Sequence, residues 1–161
     1  MKVSVVYHSE SGHTAKMGSC IVEGLLSVEG IEAKGFNIDS LDKDFVRESK
    51  ALIVGTPVYA GTLSGKMKMW LEKETRELGL AGKIGGAYAT ANFIHGGADI
   101  AIQSIFHHLM VYGMLLYSGG ASQGQPYIHF GPVAIAPDLD KFTDLFKVFG
   151  QRMGQKALEI F

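Results

Sequence analysis

Residues His8-Ser9-Glu10-Ser11-Gly12-His13-Thr14 put three hydroxyls, a glycine and two histidines between an apolar run, Lys2–Tyr7 (KVSVVY), and a segment of helical periodicity. A helix start presents backbone amides with no intrahelical acceptor and a partial positive charge, so an anion is at home there if no side chain crowds it. Gly12 lets the backbone approach closely. Ser9, Ser11 and Thr14 can donate hydroxyl hydrogen bonds, and His13 adds an imidazole or its own amide. The competing reading is that Ser11 caps the helix and the other hydroxyls face water. The stretch has neither the GxGxxG of a dinucleotide loop nor the lysine of a GxxxxGK[ST] loop. With few cations, it suits a terminal phosphate monoester held by neutral donors better than a polyphosphate carried with magnesium.

A second loop, Thr56–Leu63 (TPVYAGTL), combines a pre-proline residue, the aromatic Tyr59 and a flexible Gly61. Such a loop suits backbone hydrogen bonds to the edge of a planar ring, on which Tyr59 can stack. No cluster of the six histidines and the single cysteine has metal-ligand spacing, so no metal site is expected. Cys20 lies among apolar helix residues and is expected to be a buried, inert thiol.

The elements that must position these loops follow from periodicity. Val3, Val5, Val6 and Tyr7 read as a strand covered on both faces, and Met17, Ile21 and Leu25 recur at helical spacing. Strands are expected at Ile31–Phe36, Ala51–Gly55, Lys83–Thr90 and Met114–Tyr117, with one further edge strand from Tyr127–Phe130 or Val133–Ala136. A short charged helix or turn is expected over Asp39–Ser49. Met67, Trp70, Leu71 and Leu78 mark a helix, Ile102, Ile105, Phe106 and Leu109 another, and Leu139 to Phe161 a long closing one. Strands alternating with helices predict an α/β three-layer sandwich: a five-stranded parallel sheet of order 2-1-3-4-5 with helices on both faces, in a single domain, 1–161. Ligands bind such sheets at the carboxyl ends of the strands, where the strand order reverses. The loops Ser9–Thr14, Thr56–Leu63 and Thr90–Gly97 would meet there.

Fifteen Lys and Arg against 16 Asp and Glu give a weak overall field, which disfavours nucleic acid as a partner. The strand pattern starts at Lys2, which leaves no room for a leader, and no stretch is long enough to span a bilayer, so a cytoplasmic protein is expected. A phosphorylatable receiver domain shares the strand order but needs acidic residues at the ends of the first and third strands. Tyr7-His8 and Gly55-Thr56 stand there instead.

The blocks KVSVVYHSESGHTAKM, GTPVYAGTLSGKMKMWLEK, LAGKIGGAYAT, HHLMVYGMLLY and GQPYIHFGPVAIAP, in this order over nearly the whole chain, carry a resemblance. The chain resembles flavodoxin-like FMN proteins, and among them the tryptophan-repressor-binding-protein (WrbA-like) family of NAD(P)H:quinone oxidoreductases. The resemblance implies that Ser9, Ser11, Gly12, His13 and Thr14 hold the FMN phosphate. It implies that Pro57, Val58, Tyr59, Ala60, Gly61 and Thr62 line the isoalloxazine, with Thr90, Ala91 and Asn92 on its other side. Tyr112 falls where that family often has a histidine that reaches the flavin from another subunit. Val58-Tyr59-Ala60-Gly61-Thr62 departs from the family's Thr-Arg-Phe-Gly-Asn, and the insertion after the second strand linked to tetramer assembly is missing or very short. The expected reaction is hydride transfer from NADH or NADPH to the flavin and on to a quinone-like acceptor. A homo-oligomer, a dimer, is expected. The alternatives are a flavodoxin-like one-electron carrier and a flavin-free interaction domain.

In a flavoenzyme the cofactor performs the hydride chemistry and the protein supplies orientation and access. His95 in the third loop, as proton donor or substrate contact, and Tyr59 are the candidate catalytic side chains, although an exposed loop histidine with no role fits the sequence equally well. Phe93 and Ile94 would form an apolar lip over the ring or else pack beneath the loop. Trp70, Met67, Tyr88, Tyr117 and Tyr127 are expected to be structural.

Overall fold

A computed structural model describes residues 1–161. Its main strands are β1 (Lys2–Tyr7), β2 (Glu32–Asn37), β3 (Ala51–Tyr59), β4 (Thr62–Leu63), β5 (Ile84–Ala91), β6 (Leu115–Leu116) and β7 (Val133–Ile135). The helices are α1 (His13–Leu26), α2 (Lys43–Glu48), α3 (Gly65–Lys73), α4 (Ala98–Val111) and α5 (Thr143–Ile160). The parallel sheet runs β2-β1-β3-β5, and β6 and β7 share its last edge: Ile84 and Gly85 pair with β6, and Ala89 to Ala91 with β7. This is the expected flavodoxin-like order with the fifth strand in two pieces. Val133–Ile135 therefore completes the fifth strand rather than adding a sixth, and Tyr127–Phe130 forms no strand.

Side chains alternate across the sheet. Val3, Val5, Ala51, Ile53 and Tyr88 face α1 and α5, where Met17, Ile21, Leu25, Phe146, Phe149 and Met153 meet them. Val6, Leu52, Val54, Ala87 and Ala89 face α3 and α4. Met67 and Trp70 belong to this second core, and Cys20 is buried with its thiol pushed above its usual value by desolvation. The α1 and α5 backbones touch at two glycines. A Cβ on Gly24 would stand 2.0 Å from the Lys147 carbonyl oxygen, and one on Gly150 would stand 2.2 Å from that of Ile21. No helix is long and apolar enough to cross a membrane.

Sequence reasoning ends the third strand at Gly55, but β3 continues through Pro57 to Tyr59 and folds back as an antiparallel hairpin with β4. β1 pairs with β3 only as far as Gly55, so Thr56 and Pro57 have β5 as a ladder neighbour on one side and no strand on the other, before Val58 and Tyr59 pair with β4. Pro57, which lacks an N–H, is tolerated at such an edge. Tyr127, expected to be structural, is exposed.

Tyr88 sets the height of α1 over the sheet. Its ring is fully buried and its hydroxyl donates to the Thr14 carbonyl at 2.9 Å. A Cβ on Gly55 would lie 2.0 Å from that ring, and one on Gly18 would lie 2.6 Å from its hydroxyl. Arg152 on α5 organises the segment between β6 and β7. Its guanidinium, 8% exposed as a residue, donates to the carbonyls of Gly119, Gly120, Gln123, Gly124, Gln125 and Pro126 at 3.0–3.4 Å.

Tyr88→Phe leaves the Thr14 carbonyl without that donor and is expected to cost about 1–3 kcal/mol in urea denaturation. Gly55→Ala forces a methyl into the Tyr88 ring and is expected to cost at least about 2 kcal/mol. Arg152→Ala is expected to make residues 118–132 the first site cut in limited proteolysis. Arg152→Lys should restore only part of the protection, because three rotating donors replace a planar fork of five.

Candidate functional site

The carboxyl ends of β1, β3 and β5 enclose a cavity of about 260 Å³. Its walls are Glu10, Ser11, His13 and Thr14 from the β1–α1 loop, Pro57, Val58 and Tyr59 from β3, and Thr90, Ala91 and Asn92 from β5 and the loop after it. A larger groove of about 540 Å³ lies between α3 and α4. It sits at the carbonyl ends of both helices, where Lys73 and Arg76 complement the helix dipoles, and it offers no free amides.

Gly12 is the N-cap of α1 in the left-handed conformation, φ 88°, with no side-chain cap and no acidic residue in the first turn. Ser11 therefore does not cap the helix. It is exposed and lines the cavity. The Gly12, His13 and Thr14 amides have no acceptor among the helix carbonyls, and no atom lies within 4 Å of the place a Gly12 Cβ would occupy. The hydroxyls divide their tasks. Ser9 Oγ accepts from the Ala15 amide at 3.2 Å, and Thr14 Oγ1, on a residue 1% exposed, pairs with Thr90 Oγ1 at 2.9 Å. One bond thus joins the first turn of α1 to the end of β5.

The hairpin turn between β3 and β4 has Ala60 at φ 49° and Gly61 at φ 82°, and Ala60 is the one residue other than glycine with positive φ. Ala60, Gly61 and Thr62, expected beside the ring, are not among the cavity's walls. Thr62 instead turns its hydroxyl to Ser104 of α4 at 3.4 Å. The third loop packs against this turn, since a Cβ on Gly97 would stand 2.1 Å from the Gly61 carbonyl oxygen.

His95 is exposed and stacks on Phe93, with ring centroids 5.9 Å apart and planes within 5°. It does not line the cavity. Phe93 is 64% and Ile94 88% exposed, so they do not pack beneath the loop. Tyr112 ends α4 at the amino end of the strands, opposite the cavity, with its hydroxyl donating to the Leu71 carbonyl at 2.6 Å. Within one chain it does not reach the site.

Sequence reasoning did not single out His8 and Glu10 as site residues. His8 is 1% exposed, and its Nδ1 lies 2.8 Å from Ser64 Oγ, the N-cap of α3. Its buried Nε2 has no hydrogen-bond partner, and Glu10 Oε1 stands 3.4 Å away without the geometry of a hydrogen bond. Burial lowers the imidazole pKa, with the Glu10 carboxylate opposing. Glu10 itself is held below the usual carboxylate range, first by its bond to Lys66. The signal available was position alone: His8 directly follows a strand that ends at the sheet's ligand edge.

The folded chain thus releases the His8 proton below the value of about 6.5 at which the unfolded chain does. The unfolded state binds more protons in that window, so stability is present above it and is lost as pH falls through it. The expected slope from this group is at most about 1.4 kcal/mol per pH unit, absent in His8→Asn, read by urea denaturation between pH 7.5 and 5.

Comparison with known proteins agrees with this fold. The family model described as NADPH-dependent FMN reductase matches residues 1–125. A flavodoxin of Clostridium saccharobutylicum is 43% identical over 161 residues, covering all of both chains. An NAD(P)H dehydrogenase (quinone) of Geotalea daltonii is 31% identical, covering 81% of this chain and 74% of its own. The crystal structure of a flavodoxin, WrbA-like protein from Agrobacterium tumefaciens superposes with a TM-score of 0.84 at 22% identity, covering 99% of each chain. A chain whose uncapped helix start and β3–β5 slot meet at the reversal of strand order, and whose sequence matches that model over most of its length, belongs to the NADPH-dependent FMN reductase family and is a flavodoxin-fold oxidoreductase.

Proposed function

We propose that the protein binds FMN in the β1–β3–β5 cavity and passes hydride from NADH or NADPH through it to a quinone-like acceptor. The observation that carries the FMN reading is the bare start of α1. Gly12 replaces a side-chain cap, no carboxylate occupies the first turn, and the amides of Gly12, His13 and Thr14 are left for an anion. Ser11 and the hydrogen of the Ser9 hydroxyl are further donors. The phosphate needs no lysine in this arrangement. Pro57, Val58 and Tyr59 on one side and Thr90, Ala91 and Asn92 on the other make a slot for a planar ring.

When bound, FMN supplies hydride acceptance and donation. The protein's part is to hold the phosphate by dipoles, to offer backbone groups of the β3 and β5 ends to the ring edge, and to shape access. Phe93 and Ile94 supply an apolar lip for a planar acceptor or for a second copy of the chain, the expected dimer. His95 is exposed and outside the walls of the cavity, which supports a contact with an acceptor rather than with the ring slot. The family membership and the quinone-dehydrogenase relative support nicotinamide as donor. A one-electron carrier is the second reading, favoured by the flavodoxin relative that matches the full length. The net charge of −1 opposes it, because carriers that steer toward protein partners commonly do so with a strongly charged surface.

Purified protein is expected to be yellow or to become so with added FMN, to bleach anaerobically with NADH or NADPH, and to recolour with a quinone. Bleaching by dithionite alone would select the carrier. Gly12→Asp places a carboxylate beside the phosphate amides and is expected to weaken FMN binding at least about tenfold. Gly12→Asn, which bears the same backbone strain without the charge, should lose much less. Unchanged affinity in Gly12→Asp would remove the phosphate from this turn.

A further inference from the structure

Tyr59 walls the cavity, yet it sits at the tip of a two-residue-turn hairpin whose Ala60 is strained at φ 49°. It is 42% exposed, and no core residue surrounds its hydroxyl end. What holds it is Glu10, from the other loop of the site. The Tyr59 hydroxyl donates to Glu10 Oε2 at 3.4 Å, and Lys66 Nζ lies 3.2 Å from Glu10 Oε1. Beneath them the His8 ring meets the Tyr59 ring edge-on, centroids 6.2 Å apart at 86°. Its unpartnered, buried Nε2 stands 3.4 Å from the same carboxylate.

We propose that Glu10 is the positioning residue for Tyr59 and that, with Lys66 and the imidazole of His8, it forms an acid-released latch between the β1–α1 loop and the β3–β4 hairpin. The latch acts on the FMN site proposed above and so rests on that reading. A carboxylate at the mouth of an anion site is out of place as a ligand. With its charge balanced by Lys66 and one oxygen given to Tyr59, it is in place as a strut.

The groups facing His8 are few. Glu10 and Asp39 favour its protonation, Lys66 and burial oppose it, and Ser64 Oγ occupies Nδ1. With Nδ1 satisfied, a proton taken up by His8 has to be shared with Glu10. Nε2–H⁺ then contracts the 3.4 Å gap into a charge-assisted hydrogen bond, and the carboxylate is drawn inward from the Tyr59 hydroxyl. Tyr59 loses its tether as His8 charges.

The test is FMN affinity of the apoprotein, read by quenching of flavin fluorescence at pH 7.5 and pH 5.0. Glu10→Ala and Tyr59→Phe are each expected to weaken FMN about three- to tenfold at pH 7.5. The double variant should be no weaker than either single one, because both remove the same contact. Glu10→Gln keeps an acceptor for Tyr59 and is expected to restore affinity at pH 7.5. Wild type should lose about three- to tenfold more affinity between the two pH values than His8→Asn or Glu10→Gln, with the ionisation of the phosphate common to all. Additive losses in the double variant, or an equal acid loss in wild type, His8→Asn and Glu10→Gln, would overturn the latch while leaving FMN binding intact. Should His8→Asn not fold, the exposed Glu10 and Tyr59 variants decide the outcome alone. Wild-type apoprotein that takes up no FMN at pH 7.5 would overturn the FMN reading and the latch with it.

Discussion

The hydrogen bond from the Tyr88 hydroxyl to the Thr14 carbonyl is the contact on which the site's geometry rests. To make it, the phenol must pass between sheet and helix, and it can do so only because Gly55 of β3 and Gly18 of α1 leave no Cβ in its way. The bond ties the first turn of α1 to the strand whose end forms the far wall of the cavity, and the Thr14–Thr90 hydroxyl pair repeats the tie one step nearer the rim. A helix dipole acts only over its first turn, so its effect on an anion depends on where that turn stands. Here the turn is held by two bonds to one strand, and while Ser9 Oγ takes the Ala15 amide, those of Gly12, His13 and Thr14 have nothing to satisfy them from within.

Much of this was legible in the chain. Period-2 and period-3.6 patterns locate the elements because each strand and helix buries one face or two, and the buried sets agree: Met17, Ile21 and Leu25 on α1, Ile102, Ile105 and Leu109 on α4, Phe146, Phe149 and Met153 on α5. The bare helix start, proposed above to hold a phosphate, was legible because glycine at a helix start between strand and hydroxyls is a local signal. What escaped were facts set by distance in the chain. The extension of β3 through Pro57 depends on where β1 stops, and the division of the fifth strand depends on a loop gathered by Arg152. Tyr112 faces the opposite end of the sheet because α4 runs the full depth of the molecule before it, a consequence of helix length that no motif reports. His8 was passed over because a histidine after a strand has no pattern. Its meaning comes from Ser64 and Glu10, which only the folded chain brings to it.

The three loops differ in what keeps them in place. The β1–α1 loop is built into the core through Thr14 and Tyr88. The hairpin has a strained turn at Ala60 and is braced from outside, by Glu10 on one side and by the Gly97–Gly61 contact on the other. The third loop exposes Phe93, Ile94 and His95 and is fixed mainly at its two ends. The β1–α1 turn is thus the rigid part of the candidate site, and the hairpin and the third loop are the parts able to respond to a ligand.

The guanidinium of Arg152 reads only main-chain oxygens in the segment from Gly119 to Pro126. No side chain of that segment takes part in the recognition, so beyond the positive-φ glycines Gly119, Gly120 and Gly124 its shape depends little on which side chains it carries. The outward positions there, Ser122, Gln123 and Gln125 among them, are free to diverge or to be rewritten while the path of the chain persists. One cation on a neighbouring helix has made a stretch with a single 3-10 turn into a mount for new surface chemistry at the sheet's outer edge.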